Sequence, residues 1–296
     1  MKKVLILLLL LGAKMSYAQD TDGIYVNSDF FPSYDVGSVI KLEAGLNYPV
    51  INTSTEKFTV GGKVQSASYN YVDDDVPFDT EEIEDFKSFS IKLKYQRSLS
   101  DSWALNLMGE TQVSSNFGEN EIKGDDLFFN ALVTLEKYNE ENNTIWTFGA
   151  AYDIKYGLNY PIPVLSYTKR LDEAWAYKIG VPDMRVKWTM AENHEFEGFA
   201  TLTGFTGNIN DGIDVYKIEY SGTLRQTSVL LGLGYNYTFL KHFKATVNGG
   251  YSVYNSLQIK DYDNEEVYDF DMPNSFYFNV GLKYEFKNKT KVKSVY

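Results

Sequence analysis

The sequence predicts an all-β fold: a transmembrane antiparallel β-barrel of about 12–14 strands, following a cleaved signal peptide. Three observations predict it. Apolar and polar residues alternate with period two along most of the chain, which places them on opposite faces of strands. Each apolar set is about as long as a tilted strand needs to cross a bilayer, ~9–11 residues. Aromatic residues make up 16% of the chain, with 24 Tyr and 19 Phe, as suits a barrel with aromatic girdles.

The first stretch reads as a targeting segment. Lys2 and Lys3 precede the unbroken apolar run Val4 to Leu11, which is too short to span a bilayer as a helix. Ser16-Tyr17-Ala18 supplies small residues for a signal peptidase, so residues 1–18 are expected to be removed before Gln19. The small-residue site directly after the run favours cleavage over a retained anchor. Residues 19–286 then form the barrel and 287–296 a basic periplasmic tail. No later run is long enough for a transmembrane helix. Mean hydropathy is −0.32, a value that alternation conceals rather than explains.

The strands follow in order. Ile24 to Phe31 is closed by Pro32. Ile40, Leu42, Ala44, Leu46 and Tyr48 alternate with Lys41, Glu43, Gly45 and Asn47, and Pro49 is expected to end that strand. Lys57 to Tyr71 is a strand of ambiguous facing. Beyond an acidic loop, Phe89, Ile91, Leu93 and Tyr95 oppose Ser90, Lys92, Lys94 and Gln96. After a turn at Ser100-Asp101, Trp103, Leu105, Leu107, Thr111 and Val113 oppose Asn106, Glu110 and Gln112. Leu127 to Tyr138 follows, then Trp146, Phe148, Ala150, Tyr152 and Ile154 opposing Thr147, Gly149, Asp153 and Lys155. Met184, Val186, Trp188 and Met190 oppose Arg185, Lys187 and Thr189, and Glu195 to Thr206 returns. Leu231 to Phe239 and Phe243 to Val253 alternate in the same way. If Ile162–Arg170 and Ala174–Val181 form a hairpin the count is about 14, otherwise about 12. Asp214 to Arg225 is expected to be the outer extension of one long strand, since a separate strand would break parity.

The last strand, Ser275 to Phe286, is the clearest. Phe276, Phe278, Val280, Leu282, Tyr284 and Phe286 face one way and a mostly polar set the other, Tyr277 being its one bulky member. Asn279, Gly281, Tyr284 and Phe286 also resemble the C-terminal signal that the barrel assembly machinery reads. Running back from this strand places the short turns at Leu240–His242, Glu192–His194, Asn139–Asn143 and Ser100–Asp101 inside. The long loops Val72–Asp85, Asn116–Asp126 and Ser256–Asn274 are then outside.

In the middle of the chain, Pro161-Ile162-Pro163-Val164-Leu165-Ser166-Tyr167 and then Gly180-Val181-Pro182 resemble an uncharacterised family of exported barrel proteins common in Bacteroidetes-type bacteria. Leu46-Asn47-Tyr48-Pro49 sits where that family often has a strand ending in Asn-x-Pro. The resemblance spans nearly the whole mature chain, through loose motifs. It implies a barrel fold and an outer-membrane location, and no activity.

Composition removes several functions. The formal charge of −12 makes nucleic acid an unsuitable partner. With no Cys there is neither a disulfide framework nor thiol chemistry. Three features remain. Acidic outer loops (Asp73, Asp74, Asp75, Asp79, Glu81, Glu82, Glu84 and Asp85; Asp261, Asp263, Glu265, Glu266, Asp269 and Asp271) offer oxygen ligands for divalent cations, or simply a solvated face shared with lipopolysaccharide. His194 and His242 fall in predicted periplasmic turns, away from an outer-rim catalytic geometry, so an enzyme is not expected. Lys92, Lys94, Glu110, Asp153, Lys155, Arg185, Lys187, Lys244, Lys283 and Glu285 should line the lumen. Only Gln19 to Gly23 precedes the first strand, so no N-terminal plug is expected. These points predict a passive or weakly selective small-solute channel without cofactors, embedded in outer-membrane lipid and lipopolysaccharide. The alternative is a non-conducting barrel for surface interaction or envelope integrity.

Overall fold

The computed structural model describes residues 22–32, 37–72, 76, 78–117, 122–215 and 218–286. The expected signal peptide, Asp73–Asp75 and the basic tail lie outside these residues. Fifteen strands form one sheet: β1 (Gly23–Phe31), β2 (Gly37–Asn52), β3 (Glu56–Tyr71), β4 (Asp85–Ser98), β5 (Trp103–Ser115), β6 (Leu127–Asn139), β7 (Thr144–Tyr152), β8 (Ile162–Arg170), β9 (Trp175–Val181), β10 (Asp183–Ala191), β11 (His194–Val215), β12 (Ile218–Phe239), β13 (Phe243–Asp261), β14 (Glu266–Asp269) and β15 (Phe276–Glu285). Each of β1 to β13 pairs with its sequence neighbour, antiparallel throughout, and β15 closes the ring between β13 and β1. β14 pairs only with β13, as a short return in the last loop, so fourteen strands make the wall. The Ile162–Val181 hairpin is therefore part of the barrel, and closure leaves the wall without an edge to aggregate.

The reason for closure is visible in the side chains. Ile91 is 66% exposed, Leu233 74% and Phe276 61%, while Lys41, Glu43, Arg185 and Lys283 are each under 10% exposed. A water-soluble barrel would reverse this arrangement. Trp146, Tyr167, Trp175, Trp188, Phe196, Tyr235 and Tyr237 stack in chains at the end bearing the short turns, making a girdle there.

Three expectations need correction. Pro49 does not end β2, which runs on to Asn52. Pairing steps from Pro49↔Thr59 to Ile51↔Phe58, so Val50 is a bulge, and a bulge tolerates a residue that has no N–H to donate. Ile154 does not continue the outward face of β7. The Asp153 carboxylate accepts the Lys155 N–H (3.0 Å) and caps a 3₁₀ turn, Ile154–Tyr156, which carries Ile154 inward to 4% exposure. Asp214 to Arg225 divides between two strands of 22 residues each, β11 ending at Val215 and β12 beginning at Ile218. The lumen is also obstructed, because part of the wall itself folds across it.

Candidate functional site

The lumen is the candidate site, since it is where charged side chains are buried. Its two halves differ. At the end bearing the long loops, β11 leaves the wall after Thr201, its last partner on β10 being Asp183. It crosses the lumen and lies parallel to β5, with Asn208 opposite Ser115. Wall residues hold its carbonyls along the way. Lys41 Nζ donates to Gly204 O (3.0 Å), Ser114 Oγ to Thr206 O (2.8 Å), and Ser115 Oγ to Asn208 O (3.1 Å). A Cβ at Gly204 would meet Gln226 O at 1.9 Å and one at Gly207 the Phe86 ring at 2.4 Å, so the crossing needs glycine at both positions.

The crossing creates a second, smaller ring: β5, β4, β3, β2, β1, β15, β13, β12 and β11, closed by β11 against β5. A ring of nine antiparallel neighbours must contain one parallel contact, and this is it. Barrels of about eight strands are filled by their own side chains. Among the described residues, eighteen buried apolar side chains fill this one, including Phe31, Tyr69, Phe86, Ile209, Leu224 and Ile259, with Phe270 and Met272 closing it from the last loop. A buried latch secures β11: the Asp126 carboxylate accepts from Asn208 Nδ2 (2.9 Å), Asn210 Nδ2 (3.4 Å) and the Lys123 N–H (2.7 Å).

Below this seal the lumen is polar. Arg185 bridges Glu197 (3.0 Å) and Asp183 (3.5 Å), and Lys178 also reaches Asp183 (2.7 Å). Lys63 sits between Glu43 (3.7 Å) and Glu110 (3.5 Å). Lys187 and Lys244 share Glu195 at 3.5 and 3.2 Å, and Lys155 pairs with Asp153. Paired charges of this kind neutralise one another more than they stabilise the fold. Small cavities lie where seal and charged zone meet, two of them about 30 Å³ each, room for about one water apiece.

The ten residues expected in the lumen all lie on the inner side. Lys92 and Lys94 alternate with the exposed Ile91 and Leu93, and Lys92 faces Glu110 in the β4–β5 register. Lys283 and Glu285 alternate with the exposed Tyr284. Asp153 and Lys155 reach the lumen from the 3₁₀ turn rather than from a strand. Of the four C-terminal positions, Asn279 points inward, donating to Asp29 (2.9 Å) and accepting from Asn248 (2.9 Å). Gly281 also faces inward, while Tyr284 lies on the outer face, its ring 5.9 Å from Phe286.

The acidic loops use their carboxylates locally. Asp79 accepts the Glu81 N–H (3.0 Å), Glu84 the Thr80 hydroxyl (3.0 Å), and Glu266 and Asp269 both hold Gln258. Among the described residues no three His, Cys, Asp or Glu side chains converge on a metal position. His194 bonds the Tyr235 hydroxyl (2.6 Å) and His242 lies 5.9 Å from the Tyr284 ring, both within the turn-end girdle. Sequence reading missed the seal and its latch. The available signal was the apolar set Ile209, Ile213 and Val215, set among Asn and Gly where an outer loop would be polar.

A closed antiparallel barrel with an apolar belt outside and charges inside is a fold of the outer-membrane barrel class. The chain belongs to the family described as a domain of unknown function, DUF6268, which matches residues 33–285. Among solved structures it is similar to the NanC porin (8% identity, covering 89% of this chain and 100% of that one, TM-score 0.41). It is also similar to the KdgM porin (7%, 89% and 99%, TM-score 0.38) and to LpxR from Salmonella typhimurium (8%, 89% and 100%, TM-score 0.38). These are likenesses of broad shape. No curated protein matches the sequence.

Proposed function

We propose that the protein is an integral outer-membrane barrel of a Bacteroidetes-type bacterium that passes no solute at rest and serves surface interaction or envelope integrity. The observation that supports this is the seal. The crossing part of the β11–β12 hairpin alone contributes Phe205, Ile209, Ile213, Val215 and Leu224 to it. At about 1.5–3 kcal/mol for each buried side chain, uncovering them costs roughly 10 kcal/mol, comparable to the stability of a whole domain. Spontaneous opening is then negligible. The long loops face outward, in contact with lipopolysaccharide and any divalent cations its phosphates hold, and the short turns face the periplasm.

Planar-bilayer recording tests the reading. The inserted wild type should show no conductance steps, and steady steps would overturn it. They would favour the second reading, a weakly selective small-solute channel, which the ten charged lumen residues support. In that case changing Lys92 and Lys94 together to Glu should strengthen cation preference. The C-terminal residues Asn279, Gly281, Tyr284 and Phe286 are proposed to address the chain to the barrel assembly machinery. Replacing Tyr284 and Phe286 by Ala should lower insertion, and normal insertion of that variant would end the idea.

A further inference from the structure

We infer that the low side of the barrel, where β11 leaves the wall, docks the phosphate-bearing headgroup of an outer-leaflet lipid, with Arg225 as the residue that holds the phosphate. The outer-membrane location proposed above is the premise, and closure of the lumen is not.

The wall is uneven in height. β8, β9 and β10 have 9, 7 and 9 residues, against 22, 22 and 19 for β11, β12 and β13. On β3 and β4 the outer face turns polar beyond the belt, at Ser68, Asn70 and Lys87. On the short strands it stays apolar: Leu165, Ile179, Val181 and Met184 are exposed, and Pro182 alone joins β9 to β10. The apolar belt therefore runs up to the lip on this side. Beyond the lip β11 turns away across the lumen, its Leu202 N–H still donating to Pro182 O (3.1 Å). Residues 153–161 cover its outward side instead. The Thr206 hydroxyl donates to Ile154 O (3.0 Å) and the Thr227 hydroxyl to Tyr156 O (2.9 Å). Tyr160, exposed just before β8 begins, suits the boundary between lipid chains and headgroups.

Arg225 stands over this lip. In the β11–β12 register it lies opposite Thr206, and Thr227 is the next residue on its own face, so the two hydroxyls that hold the covering segment flank it. Leu224 and Gln226 are buried in the ring, which turns Arg225 outward. Leu202, at the lip, lies opposite Val229. The step from Val229 to Arg225, at ~3.3 Å per residue and a tilt of about 40°, raises Arg225 roughly 10 Å above the lip, among headgroups rather than chains. The guanidinium is half-buried, and its acceptors are neutral: Nε donates to Thr223 Oγ1 (2.9 Å) and Nη1 to Asn264 Oδ1 (2.5 Å). On the same last loop, the Asp261 carboxylate is engaged with the Glu265 N–H (2.8 Å). Among the described residues no carboxylate pairs with Arg225, and nothing takes its Nη2 hydrogens. A partly desolvated cation calls for a counter-ion, and a phosphate meets the guanidinium fork with two oxygens. The apolar lip below adds the second half of the match, since Ile179 and Val181 suit acyl chains and offer nothing to a free phosphate.

Native mass spectrometry of the folded protein in detergent tests the proposal, by titration with lipid A, with the same lipid stripped of phosphate, and with inorganic phosphate. Lipid A should bind saturably, and loss of its phosphate should weaken binding by about tenfold or more. That comparison needs no variant. Arg225→Gln should bring a similar loss with native heat-modifiable gel mobility retained, and Arg225→Lys should keep most of the binding. Deleting residues 287–296, the basic stretch at the other end, should change nothing. Equal binding of the two lipids, undiminished binding by Arg225→Gln, or loss of binding on that deletion overturns the site. Displacement of lipid A by millimolar inorganic phosphate overturns the lipid as its occupant. Bilayer current would instead refute the seal, and absence from the outer-membrane fraction the location, so these failures are separable.

Discussion

One strand, β3, serves two environments. Near the turn end it points Lys57 and Lys63 inward and shows Val64 to the outside, 48% exposed. Near the loop end it points Ala67 and Tyr69 inward, at 2% exposure or less, and shows Ser68 and Asn70 outside. β4 makes the same exchange, from Lys92 inside and Ile91 outside to Phe86 inside and Lys87 outside. The barrel is thus inside-out within its apolar belt and right-side-out above it. Along β3 and β4 the period-two alternation never breaks, and only the solvent on each side changes. An apolar face therefore marks whatever lies against that face, lipid below or a packed core above. The rim where the faces exchange is where the barrel leaves the bilayer.

The largest effect should come from breaking the loop-end core. Ile209 is fully buried in the seal. Ile209→Asp places a carboxylate among apolar side chains with nothing to pair it, at a cost of about 3–5 kcal/mol. Urea unfolding followed by gel mobility should show the midpoint fall by the corresponding amount. A loss below about 1 kcal/mol would mean that the loop end is not a packed core.

The belt gives the next effect, and a contrast. Ile91→Arg presents a cation to lipid and should cost about 2–4 kcal/mol if it lies near the bilayer midplane. Asn70→Arg, also outward but above the belt, should change stability by about 0.5 kcal/mol or less. The inversion predicts this difference between two outward positions. Equal costs measured in the same vesicles would remove the rim between Val64 and Ser68.

The same inversion explains what the sequence made legible. The strands whose faces never exchange, such as Met184 to Met190 and Phe276 to Phe286, read unambiguously, because one set stays apolar along its length. Lys57 to Tyr71 read as ambiguous because its apolar residues change faces midway. Eight of the ten lumen residues were legible through simple alternation along strands, whereas Asp153 and Lys155 reach the lumen from a turn. The seal was not, because its contacts are non-local: Ser115 and Asn208 are 93 positions apart, and Lys41 and Gly204 163. Nor was the turn at Ile154, where one Asp cap outweighed a continuing apolar pattern.

A smaller effect than that of Ile91→Arg should come from the latch, and it is the most specific. Asp126 is fully buried and accepts hydrogen bonds from two β11 side-chain amides, those of Asn208 and Asn210. Asp126→Ala leaves those amides buried with their acceptor gone, which costs about 1–3 kcal/mol. The eighteen-residue core is untouched, so the barrel should stay closed and keep its gel mobility. What loosens is the contact of β11 with β5. The Asn116 N–H, which donates to Asn208 O (3.2 Å), should exchange with solvent faster in the variant. The Ser252 N–H, bonded to Ser275 O (2.9 Å) on the far side of the nine-strand ring, should not. Acceleration at Asn116 alone would show that the core and the β11–β5 contact are separate supports for one seal. Acceleration at both sites would make them a single cooperative unit. No change at Asn116 would remove Asp126 from the seal altogether.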